Sequence, residues 1–215
     1  MAREIRVYLF VFATTAAAIF AAVCAWPYRM PFPGWWPLAT FVFVAALLES
    51  LNTRLRISAR GSTSFIMHMA AALLFGGFWA AAVAGVSTLV GEFVRNNTPL
   101  KTLFNVAQRV LSVCAAVAVY NIFGGSLPPA YLVSSPVLSS QPVQQDLGLF
   151  FVFAAVYFLI NAASVNTAIV LSSGRAFREV WNLNTRGLLG YDLGASAIAV
   201  LVAWLYVTFD AWLVF

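Results

Sequence analysis

Seven polar or ionisable side chains stand out in a chain otherwise built of apolar runs: His68, Glu92, Asn105, Gln108, Arg109, Asn161 and Asn166. Such groups are costly in hydrocarbon, so they face a protein interior or a water-filled cavity. Asn105, Gln108 and Ser112 recur at i, i+3 and i+7, which puts them on one face of a helix. Their amides donate and accept, so this face can bind a small polar ligand or bond across to Asn161, Ser164 or Glu92. Tyr157, Asn161, Ser164 and Ala168 form a second stripe, with Asn166 on another face of the same helix. His68 sits between Met67 and Met69. It could ligate a haem or chlorin or sense pH, while the simpler reading is a histidine bonded to a neighbouring helix. Glu49 closes one apolar run and Asp192 opens another. Two readings of the set stand side by side: a polar cavity that binds a small ligand or transmits a signal, or groups that pair and cap one another, with Glu92 beside Arg95 or Arg109.

Catalytic chemistry finds no foothold. There is no phosphate-binding glycine loop with lysine, no nucleophile elbow and no H-E-x-x-H or C-x-x-C spacing. One histidine and two distant cysteines, Cys24 and Cys114, supply no zinc site. The expectation is a protein that is not an enzyme and holds no metal, and no cofactor can be named from these residues.

The elements that must position these residues follow from composition. Of 215 residues 62% are hydrophobic and 9% charged, with a mean hydropathy of +0.89. Soluble domains have about 25% charge, so a water-soluble enzyme is excluded, as is a disordered chain. At about 20 residues per crossing, the chain holds six to eight membrane helices. The predicted fold is an all-α polytopic bundle, a single integral-membrane domain over residues 1–215. Seven apolar stretches can be marked: Val7–Trp26, Trp35–Leu51, Thr63–Phe75, Phe78–Val94, Leu103–Phe123, Leu147–Leu171 and Leu188–Val207. The third and fourth are joined only by Gly76-Gly77, as a tight helical hairpin or one broken helix. Although Arg3 and Arg6 precede the first run, no A-x-A-like site follows it, so it reads as a retained helix. Phe209–Phe215 reads as an interfacial belt or the start of an eighth helix.

With the N-terminus inside, eleven of the twelve basic residues fall on the cytoplasmic side and only Arg29 falls outside, a strong positive-inside asymmetry. The segment Gly124–Asp146 has no lysine or arginine and is placed outside. Attraction to anionic lipid accounts for the net charge of +5, so no nucleic-acid partner is expected. The tryptophans Trp35, Trp36, Trp79, Trp204 and Trp212 fall mainly at outer ends, as anchors. The stripe Ala80, Ala84, Ser87 and Gly91 lets a neighbouring helix approach closely.

Four motifs carry a resemblance: Arg60-Gly-Ser-Thr-Ser-Phe65, Ala71-Ala-Leu-Leu-Phe-Gly76, Gly91-Glu-Phe-Val-Arg95 and Thr102-Leu-Phe-Asn-Val-Ala-Gln108. Together they resemble the multi-helix membrane module found at the N-terminus of bacterial cyclic-di-GMP signalling proteins, ahead of HD-GYP or GGDEF domains. The similar region covers about residues 35–208, and F-N-x-A-Q is its most specific part. A weaker likeness is to substrate-binding subunits of energy-coupling vitamin transporters. The resemblance implies a non-enzymatic sensor or small-ligand-binding module in a bacterial inner membrane, although the chain shows no cytoplasmic output domain. The alternatives are a structural subunit of a larger respiratory or photosynthetic complex, whose partners would be other membrane subunits, and a transporter subunit.

Overall fold

In a computed structural model, residues 2–51, 63–133 and 141–209 are described. All regular structure among them is helical: α1 Ala2–Ala25, α2 Trp35–Ser50, α3 Phe65–Val94, α4 Pro99–Ile122, α5 Ala130–Val133, α6 Gln141–Ser173, α7 Phe177–Asn184 and α8 Leu189–Thr208. Five helices are long and apolar enough to cross a membrane, and α2 is a shorter apolar one. The short helices α5 and α7 do not announce themselves in the apolar pattern. Arg54, Arg56, Arg60, Trp212, Ser135 and Ser140 lie outside the described residues, as does most of the Phe209–Phe215 run.

The centre of the fold is α3, and it is not one rod. At Gly76 the backbone leaves helical space, with φ 75° and ψ 175°. The His68 imidazole lies 3.0 Å from Ser87 Oγ, nineteen residues along. In a continuous helix that separation spans about 28 Å, so residues 65–75 and 77–94 run antiparallel as a hairpin. Of the two readings of Gly76-Gly77, the hairpin is the one realised. Glycine is needed at the tip for two reasons. A positive φ suits a residue without a Cβ, and a side chain at Gly76 would stand 3.1 Å from Met30 Cγ in the chain that closes over the tip.

The first arm is about 16 Å long, too short to cross about 30 Å of hydrocarbon. Yet every residue from Phe65 to Gly76 is buried, which holds for no other helix. Small side chains at Ala70, Ala71 and Ala72 let neighbours close in without an apolar driving force. Phe41 of α2, Phe75 of α3 and Tyr206 of α8 join edge to face, with centroids 5.1 to 5.8 Å apart. The helix α1 stands at the periphery, packed along α4 through Phe10 and Phe104.

Three contacts fix which helix ends share a face. Glu49 at the end of α2 meets both Ser64, just before α3, and Arg95, just after it. The Arg3 guanidinium of α1 lies where a side chain at Gly174, just after α6, would stand. On the opposite face Trp79 Nε1 donates to the Met30 carbonyl, and Arg29 stacks on Trp26 with 3.9 Å to its ring centroid.

Candidate functional site

Inside the bundle a chain of polar groups joins both arms of the hairpin to α4 and α6. Arg109 Nη1 of α4 donates to Tyr157 Oη of α6 at 3.2 Å. Tyr157 Oη stands 3.2 Å from His68 Nδ1, and Nε2 of the same ring stands 3.0 Å from Ser87 Oγ. Ser87 donates to the Ala84 carbonyl at 3.3 Å. The arginine can only donate, which orders the protons. Tyr157 accepts from it and donates to Nδ1, the proton of His68 sits on Nε2 and goes to Ser87, and Ser87 passes its own to the carbonyl. This tautomer, assigned from the network, uses every hydrogen. The opposite tautomer leaves the phenolic hydrogen of Tyr157 without an acceptor. His68, Ser87 and Tyr157 are fully buried, and Arg109 is partly so. The carboxylates whose charge acts on Arg109 are Glu49 of α2 and Asp192 of α8.

A second cluster closes the rim. Arg95 lies between two buried carboxylates, 2.6 Å from Glu49 and 3.1 Å from Glu92. Ser64 donates to Glu49 at 2.6 Å and Asn97 to Glu92 at 2.7 Å, and these extra donors are what a buried ion pair requires to be tolerable. The tight turn after α3 places these donors. Asn96 takes a left-handed φ of 51°, which asparagine adopts readily, and the Asn97 N–H returns to the Glu92 carbonyl. Pro99 then starts α4, where its missing N–H is not needed. Beside this turn Glu92, Asn96, Asn97 and Thr102 line a groove of about 460 Å³ with Leu89, Phe93 and Leu103.

The sequence candidates therefore separate. His68 and Arg109 share one network through Tyr157. Glu92 belongs to the rim and pairs with Arg95, not Arg109. Asn105 is half-buried one turn before Arg109 on the same face of α4. Among the described residues Gln108 is buried with no partner for its Oε1, and Asn161, one turn along α6 from Tyr157, likewise keeps Oδ1 buried and unpartnered. Asn166 sits apart, donating to Thr185 at 2.7 Å and so tying α6 to the turn before α8. Tyr157 and Ser87 were visible in the sequence as stripe members, but a stripe does not say that the hydroxyls meet the two faces of one imidazole. Among the described residues no three histidine, cysteine or acidic side chains gather as a metal site.

Residues 7–215 match the MASE9 family of membrane-associated sensory domains. No curated protein and no solved structure matches the chain.

Proposed function

The chain belongs to the MASE9 family, and from that premise we propose that it is the sensory module of a bacterial inner-membrane signalling protein, with a small polar molecule as its input. The observation that carries this reading is the buried Arg109–Tyr157–His68–Ser87 chain, which links the hairpin, α4 and α6 by single hydrogen bonds. On the same two helices, Gln108 Oε1 of α4 and Asn161 Oδ1 of α6 are enclosed acceptors without donors among the described residues. Unpaired buried acceptors destabilise a fold by about 1–3 kcal/mol each, so donors from water or from a small hydrogen-bonding ligand fit there. A ligand that bridges α4 and α6 at this level would shift the hydrogen bonds of Arg109 and Tyr157, and through them the hairpin.

The basic ends of α1, α3 and α6 share one face, which supports a cytoplasmic N-terminus. The resemblance to modules ahead of HD-GYP and GGDEF domains makes cyclic-di-GMP turnover the favoured output. The test is mild-detergent purification and native mass spectrometry of the wild type and of Asn105→Ala and Gln108→Ala variants. A small molecule retained by the wild type and lost by both variants, at nearly unchanged melting temperature, is the expected result. A wild type that carries stoichiometric protein partners and no small molecule overturns it in favour of a structural subunit.

A further inference from the structure

Beyond the interior network, the basic face carries a cluster that the sensory reading does not use. The helix α6 ends at Gly174, whose left-handed φ of 77° reverses the chain and leaves the Arg3 guanidinium of α1 lying over it. The next residues, Arg175 and Arg178, are exposed on the α6–α7 turn and first turn of α7. Arg175 has one distant partner, Glu179 at 3.9 Å, with both side chains more than half exposed. Arg3 and Arg178 pair with no carboxylate among the described residues. Arg3 of α1 thus lies over the end of α6, Arg175 follows in the turn and Arg178 in the first turn of α7, and the one ion pair these three arginines make among the described residues is the solvent-screened contact to Glu179.

The helix α7 supplies the other half of the chemistry. Val180 is buried and seats the helix against the bundle, while Phe177, 45% exposed, stacks on Trp181 with centroids 5.8 Å apart. Leu183 is 60% exposed. On the helix these apolar residues share one side and Arg178, Glu179 and Asn182 the other. A short helix with aromatics beside arginines suits the boundary between acyl chains and headgroups. The geometry points to an anionic-lipid site: Arg3, Arg175 and Arg178 hold the headgroup phosphate, and the Phe177–Trp181 pair packs on its acyl chains. A free phosphate would engage the arginines alone; the adjoining aromatic pair, Phe177 exposed and Trp181 half-buried, is why we assign a lipid.

The full chain in nanodiscs of phosphatidylcholine, alone or mixed equally with phosphatidylglycerol, tests this by native mass spectrometry of retained lipid. The wild type is expected to retain phosphatidylglycerol in preference to phosphatidylcholine. A basic residue at a membrane surface favours anionic lipid by roughly fivefold, so replacing all three arginines by glutamine should reduce the preference by about a hundredfold. The triple lysine variant keeps the charges and should retain most of it, and Arg29→Gln on the opposite face should leave it unchanged. A wild type without preference overturns the site, and this arm stands even if the glutamine variant fails to fold. Displacement of the lipid by soluble glycerol phosphate at equal concentration also overturns it, because a free anion would then be the ligand. None of these outcomes bears on whether the interior network senses a molecule.

Discussion

Replacing Tyr157 by phenylalanine keeps the buried ring and deletes one hydroxyl, and that hydroxyl hydrogen-bonds both Arg109 and His68. Packing is preserved, so the effect isolates two interhelical hydrogen bonds, from α4 to α6 and from α6 to the hairpin. Interhelical hydrogen bonds in membranes contribute about 0.6 kcal/mol on average and up to about 1.7, and bonds to a charged donor are at the upper end. The expected loss is about 1–2 kcal/mol, a few degrees in melting temperature. Tyr157→Ala should cost about 3–5 kcal/mol, because it adds a cavity. The more telling measurement is a double-mutant cycle with Ser87→Ala. Tyr157 and Ser87 do not touch; they meet opposite nitrogens of one imidazole, so each fixes the tautomer that the other requires. Removing either frees the ring, and the second deletion then costs less. The expected coupling is about 0.5 kcal/mol or more, read from unfolding in detergent for the two single variants and the double. Additive losses would mean that His68 does not relay one hydroxyl to the other, and the ordered proton chain would be wrong.

Three other outcomes are expected. A side chain at Gly91 would meet Glu49 Cγ at 2.6 Å, so Gly91→Ala should lower stability by about 1–3 kcal/mol through overpacking; Gly91→Leu should be worse, and unchanged thermal stability would place this face against lipid. Gly76→Ala forces a Cβ into a left-handed backbone against Met30 and should cost about 1–3 kcal/mol, measurable in the same unfolding assay, whereas Gly148→Ala in open space should not destabilise. In a background lacking Cys24 and Cys114, Asn121→Cys should react with a membrane-impermeant thiol reagent in intact cells and Ser172→Cys should not; the reverse pattern inverts the proposed orientation.

How much of this was legible depends on what each residue reports. Apolar runs report hydrocarbon contact, and they placed the spans to within a few residues, because lipid-facing helices such as α1 must be apolar over their length. They misjudged the starts of α4 and α6, whose first turns carry Lys101 and Gln144 at the interface. The small-residue stripe was legible for the same reason: Ala84, Ser87 and Gly91 are all buried, as close packing requires. Periodicity placed Asn105, Gln108 and Ser112 on one face of α4, but it does not say which helix stands opposite. Glu92 could reach Arg95 by local spacing or Arg109 across the bundle; the tight turn at Asn96 decided it by folding Arg95 back between two acids.

His68 shows where pattern reading stops. In a stretch as apolar as residues 65–75, one imidazole carries no period and names no partner. Its surroundings are set by Gly76, eight residues away, because only a reversal there brings Ser87 to its Nε2. The same reversal makes the first arm the one element buried on all sides. With α2, α6, α8 and the second arm around it and small side chains at the contacts, this arm has no lipid face into which strain can relax. Interiors packed to that density transmit displacement instead of absorbing it. A shift of α4 against α6 must therefore either break the Arg109–Tyr157 bond or move Tyr157 against His68. Either way the hairpin registers it at the nitrogen facing α6, while Ser87 holds the other. At the rim Glu49 ties both ends of α3 together, through Ser64 and Arg95, so the hairpin is held at its base as well as at the imidazole.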